Sequence, residues 1–194
     1  MKEILGIIAI VLTFTGYIPY IRDTLRHKTT PHAYSWFIWG IVTAIAFGLQ
    51  VVNQGGFGSF VTLAAAIVCM FIFVLAVRQG KNNITKSDTV FLIMASVALI
   101  LWLLAKQPVL SVILVTAIDL LGFIPTIRKS WSKPYEETMV SYFINFIRFS
   151  LATFALYQLN FLTGLYPVTM IAINGAFALF LIIRRRQMQH KTKR

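Results

Sequence analysis

The stretch Gly16-Tyr17-Ile18-Pro19-Tyr20-Ile21-Arg22 returns in outline as Gly122-Phe123-Ile124-Pro125-Thr126-Ile127-Arg128, at an offset of 106 residues. In both copies a proline stands near the end of a long apolar run and a basic segment follows at once. Proline removes a backbone hydrogen bond and clashes with the preceding turn, which breaks most soluble helices but is tolerated where neighbouring membrane helices make good the loss. The two stretches therefore read as the same end of two equivalent membrane helices.

Composition agrees. Of 194 residues, 58% are hydrophobic and 12% charged, and the mean hydropathy is +0.76, more apolar surface than one soluble core of this size can hide. A transmembrane helix needs about 20 mostly apolar residues. Seven runs qualify: 4–22, 34–53, 59–78, 89–105, 109–127, 138–158 and 161–183. The fourth is the weakest. The formal charge of +12 would point to nucleic acid in a soluble protein, but here the cations lie between apolar runs and in the tail. With seven spans, fifteen of the 18 basic residues fall on one side, Lys2 and Lys106 on the other, and Arg148 inside the sixth span. The positive-inside rule then expects the C-terminus in the cytoplasm and the N-terminus outside, in a cytoplasmic (inner) membrane.

Sliding the chain by 106 residues aligns spans one to three with spans five to seven without a gap. Beyond the opening stretch, Ser35, Phe37 and Ile38 meet Ser141, Phe143 and Ile144, and Gly58, Phe71 and Arg78 meet Gly164, Phe177 and Arg184. This divides the chain into a first three-helix repeat (1–80), a linker span (81–107), a second three-helix repeat (108–183) and a basic cytoplasmic tail (184–194). Three crossings are an odd number, so a directly joined second repeat would be inverted. The linker span restores its direction. The expected fold is an all-α integral membrane protein, seven transmembrane helices in a 3+1+3 arrangement, with two parallel repeats and a cavity between them.

That plan, the paired prolines and the Lys28-Thr29-Thr30-Pro31-His32-Ala33-Tyr34-Ser35-Trp36 segment leading into span two resemble the PQ-loop superfamily, which includes the SWEET sugar transporters and the cystinosin-type lysosomal exporters, and a bacterial subgroup within it. The family's Pro-Gln reads Pro19-Tyr20 and Pro125-Thr126 here. The resemblance implies a transporter that moves a small polar metabolite by alternating access, with Pro19 and Pro125 as hinges. The KDEL receptors share the architecture, so it also permits a non-transporting receptor or assembly subunit.

Two charges lie near the middle of spans, Asp119 and Arg148, where an isolated charge costs roughly 2.5–3.5 kcal/mol on insertion scales. Their counterparts are Thr13 and Val42, so the pair belongs to one half. Ser141, Asn145 and Arg148 form one helical stripe, and Thr169 and Asn174 are the interior polar residues of the last span. Three roles are open for the charges: a mutual ion pair that fixes packing, an anion site in which Arg148 works with Asn145 and Asn174, and a proton-coupling site at Asp119. An acid shortly before the second motif in cystinosin-like members adds weight to the last by resemblance. Trp39, opposite Asn145, suits stacking on a small polar solute, while Trp36 is expected at the membrane interface.

His27, His32 and His190 are expected as solvated loop or tail residues, with no metal-ligand spacing, and Cys69 as a small buried residue. No motif for a nucleophile, a zinc hydrolase or a phosphate loop occurs, so no enzyme and no cofactor are expected. The expected partners are a small-molecule solute and membrane lipids, not nucleic acid; a homo-oligomer is left open.

Overall fold

The computed structural model describes residues 1–79 and 107–192 and scattered positions between 85 and 104. Among the described residues the protein is helical without strands: α1 (Lys2–Leu25), α2 (Ala33–Val52), α3 (Phe57–Arg78), α4 (Pro108–Ser132), α5 (Met139–Ala155) and α6 (Phe161–Thr192), with a 3-10 turn at Pro134–Glu136. Five of these are long and apolar enough to cross a membrane, and α5, of 17 residues, is a shorter apolar helix. The expected span at 89–105 lies largely outside the described residues. Its described positions are helical, and Leu92 and Ser96 lie beside Ile41 of α2 and Ile118 of α4.

The helix faces are inverted relative to a soluble protein. On α1 the buried residues Gly6, Ala9, Thr13, Gly16, Tyr17, Tyr20 and Thr24 form a small and polar stripe, while Ile4, Ile7, Val11, Phe14 and Ile18 point outward. In water such an outer face would drive aggregation; against lipid it is matched, and the small inner residues let helices approach closely. This pattern is what a multi-pass membrane protein requires.

Each helix begins and ends for local reasons. Pro108 opens α4, where its missing N–H is no loss. Asn160 caps α6, its Oδ1 accepting from the N–H groups of Leu162 and Thr163. No glycine or proline follows Gly175, and α6 runs through Arg184, Arg185 and Arg186 to Thr192, so the basic segment expected as a separate tail from residue 184 continues the last helix. Similarly α4 runs to Ser132, past the expected end at residue 127, and α5 stops at Ala155, short of the expected 158. Both α1 and α4 continue beyond Pro19 and Pro125 without interruption.

α1, α3, α4 and α6 finish at one end of the bundle. Gln79, after α3, donates to Thr24 O of α1; Lys129 of α4 donates to Thr30 O; Arg185 of α6 donates to Glu137 O. We call this the basic end. At the opposite end Lys2 donates to Leu156 O and Tyr157 O, and the Tyr157 hydroxyl donates to Glu3. Gly56, at φ +64°, lies under the Tyr157 ring, where a Cβ would come within 2.6 Å.

α1 packs on α3 and α5, as α4 packs on α6 and α2; α2 packs on α3 as α5 does on α6; and α3 touches α5 as α6 touches α2. Exchanging the first three helices for the last three maps each of these contacts onto another. The close approaches match too: Gly16 lies against Ile144, and Gly122 against Ile38.

Gly58 tests the packing. A Cβ there would meet the Ala152 carbonyl oxygen at 2.9 Å and Leu156 N at 3.0 Å, backbone atoms with little freedom to yield. Gly58→Ala is expected to destabilise the protein by about 1–3 kcal/mol. Gly48, with open space around it, becomes neutral or more stable by up to about 1 kcal/mol as alanine. Melting in detergent distinguishes the two.

Candidate functional site

The polar interior lies where the first three helices meet the last three. Tyr17 and Trp36, Trp39 and Thr43 come from α1 and α2, Asp119 and Phe123 from α4, Asn145, Arg148 and Phe149 from α5, and Tyr166 and Asn174 from α6; Cys69 of α3 completes one wall. The space they enclose is about 30 Å³, room for a water or two. Each of these residues is no more than 7% exposed, so the cavity is deeply buried.

Arg148 is 1% exposed. Its Nε donates to Asn145 Oδ1 at 2.7 Å and its Nη2 to the Tyr17 hydroxyl at 3.4 Å, while Asn145 Nδ2 donates to the same hydroxyl at 3.0 Å. The guanidinium also lies over the Phe149 ring, 4.0 Å from its centroid, so the charge is stabilised by an amide, a phenol and a π face. Nη1 has no hydrogen-bond partner among the described residues.

Asp119 is held from the other side. Its Oδ1 accepts from the Tyr166 hydroxyl at 3.4 Å, and that hydroxyl is 2.8 Å from Thr43 Oγ1. The backbone carbonyl of Asp119 accepts from Trp39 Nε1 at 3.1 Å. Oδ2 has no partner among the described residues. Of the three roles left open for Asp119 and Arg148, the mutual ion pair is not formed. The two side chains line one cavity without a salt bridge: Tyr17 and Asn145 hold the guanidinium, while Tyr166 holds the Asp119 carboxyl on the side of α6.

The candidate solute residues converge: Trp39, Asn145, Arg148 and Asn174 all line the cavity with Asp119. Asn174 donates to Met170 O, and its Oδ1 is the third polar atom of this cavity without a partner among the described residues. Thr169 instead bonds back to Leu165 O and is absent from the lining. Trp36 is 2% exposed, packed against Tyr20 and Trp39 and donating to the Tyr20 hydroxyl, so it is a buried residue rather than an interfacial anchor. His32, expected in solvent, is buried at 3%.

Tyr17 and Tyr166, the phenols that hold the two charges, were not anticipated from the sequence. Their one available signal was a hydroxyl on the same apolar helices. A second network at the basic end was also missed. Glu137, 2% exposed, accepts from Tyr20 of α1 at 3.3 Å, from Tyr142 of α5 at 2.9 Å and from Lys129 of α4, whose Nζ also donates to Thr30 O at 2.5 Å. Lys129, counted from sequence among the loop cations, is thus a buried partner in an ion pair.

Set against models of known families, curated proteins and solved structures, the chain finds no match.

Tyr17 carries a direct test of the arginine's environment. Tyr17→Phe removes the acceptor shared by Arg148 and Asn145 and leaves a buried cation short of a partner. A loss of about 1.5–3 kcal/mol is expected in denaturant unfolding, and substituting Arg148→Met in the same background should recover part of it.

Proposed function

We propose that the protein is a seven-helix membrane transporter of the PQ-loop type, two parallel three-helix repeats joined by an inverting helix, that moves a small polar metabolite by alternating access. One observation carries this reading: a buried acid and a buried base face the same cavity at the seam between the halves, each with a polar atom unpaired among the described residues. Membrane interiors hold such groups where a solute or proton passes. The matched helix contacts support two repeats, and the common direction of α1 and α4 supports an odd number of crossings, and so a fourth span, between the two halves.

In this reading Arg148 Nη1 engages an anionic or strongly accepting group of the solute, with Asn145 and Asn174 fixing its orientation. The ring of Trp39 forms a wall. Asp119 either binds a donor group of the solute or carries a proton with it, the phenol of Tyr166 setting its position. The Glu137 network is the gate at the basic end, the cytoplasmic side by the distribution of cations, since it ties Tyr20 of the first half to Lys129 and Tyr142 of the second. Pro19 precedes Tyr20 directly and Pro125 lies one turn before Lys129, so bending at either proline would draw the gate apart.

A panel of metabolites screened by melting temperature identifies the solute: one at a hundred times its Kd adds about 2.7 kcal/mol of stability. In proteoliposomes that compound should exchange by counterflow, and binding without flux would assign the protein to the receptors instead. Asp119→Asn is expected to abolish proton-driven accumulation while sparing counterflow; accumulation that survives removes Asp119 from the coupling.

The gate has a built-in reporter. Cys69 is the sole cysteine and faces the cavity. Glu137→Gln and the milder Tyr20→Phe should raise its labelling by a maleimide several-fold over the unsubstituted protein. Unchanged labelling in both variants, with folding intact, rules out the Glu137 network as a gate.

A further inference from the structure

On the outer surface near the basic end, α4 and α6 leave a groove of about 290 Å³ lined by Trp131, Ala176, Leu179, Phe180, Ile183 and Arg184. Its rim is apolar and turned outward, with Trp131, Leu179 and Ile183 about half exposed or more. Where the helices stand in a bilayer, this surface meets hydrocarbon. One end of the groove is different in kind. The Arg184 guanidinium lies 4.7 Å over the Trp131 ring, its Nε donating to Trp131 O at 2.7 Å and its Nη1 to Gln187 at 3.2 Å, while Nη2 makes no hydrogen bond among the described residues. Trp131 is itself stacked on Phe180. A cation is therefore held in a fixed orientation at the head of an apolar channel.

We propose that this groove is a binding site for one anionic phospholipid, an acyl chain lying along Ala176, Leu179 and Ile183 and the headgroup phosphate on Arg184. The charge complementarity is local. The neighbouring Arg185 is turned away, bonded to Pro134 O and Glu137 O beneath Tyr135. Arginine suits the task because its planar fork gives the phosphate two donors while its face stays on the indole. The site also belongs to one half alone: the positions 106 residues earlier hold Leu25 in place of Trp131 and Met70 in place of Ala176, so the first half has neither the aromatic clamp nor the small residue that opens the channel. A bound lipid would join α4 to α6 on the outside, at the end where the Lys129–Glu137 pair joins helices on the inside. The site stands whether or not the protein transports.

The test compares phosphatidylglycerol with phosphatidylcholine added to the purified protein in detergent, read by native mass spectrometry and by melting temperature. Retention of one phosphatidylglycerol in preference to phosphatidylcholine is expected, with a higher Tm. Arg184→Ala should weaken that retention about fivefold, the effect of one arginine near the headgroups. Ala176→Phe fills the channel without touching the charge and should also lower retention. If the two lipids bind alike, or if both variants keep the preference while Arg186→Ala loses it, the groove is not the site. Should Arg184→Ala fail to fold, Ala176→Phe alone decides: undiminished retention overturns the proposal.

Discussion

Polar groups in this protein have nowhere to go but inward. A bilayer core supplies no water to hydrogen-bond them, so helices satisfy their backbones internally and turn their hydroxyls, amides and charges toward one another. α1 makes the point along its length, with Thr13, Tyr17, Tyr20 and Thr24 inside and isoleucine, valine and phenylalanine outside. Asp119, Asn145, Arg148 and Asn174 are thereby gathered at the seam between the first three helices and the last three, which serves both as the adhesive of the bundle and as its candidate site.

The seam is matched in packing but unmatched in chemistry. At positions 106 residues apart, Trp39 packs on Phe123 while Asn145 bonds to Tyr17. Geometry is shared across the halves and the residue types are exchanged: an indole on a phenyl ring in one place, an amide on a phenol in the other. Asp119 and Arg148 face Thr13 and Val42 across the same correspondence. A cavity between two similar halves thereby acquires a direction, with an acid held by α2 and α6 and a base held by α1 and α5. Tyr17 and Tyr166 take up Arg148 and Asp119 separately, and the two side chains do not meet in an ion pair.

Near the basic end the opposite choice has been made. Lys129 and Glu137 do form a buried pair, supported by Tyr20, Tyr142 and the Thr30 carbonyl. Buried ion pairs add little net stability but strongly penalise the loss of either partner. They therefore suit a contact that must be either fully made or fully broken. The contrast between Asp119 and Arg148, which do not pair in the cavity, and Lys129 and Glu137, which do pair at its end, is the main physical basis for proposing a binding site at one and a gate at the other.

The sequence alone determined that the chain is built of apolar helices and where most of them lie, because length and hydrophobicity are local properties and the bilayer sets the length. It also located Asp119, Asn145, Arg148 and Asn174, since a charge or amide within an apolar run is conspicuous without any structure. What these residues touch was decided by tertiary structure only. Arg148 and Tyr17 are 131 residues apart, and Thr43 and Tyr166 are 123 apart. No local pattern announces such partners: a tyrosine in a membrane helix looks the same whether its hydroxyl meets lipid headgroups or a buried guanidinium. For the same reason Trp36 read as an interfacial anchor and Lys129 as a loop cation. Each stands near the end of its apolar run, and only the packing of α1, α4 and α5 around them turns those ends into an interior.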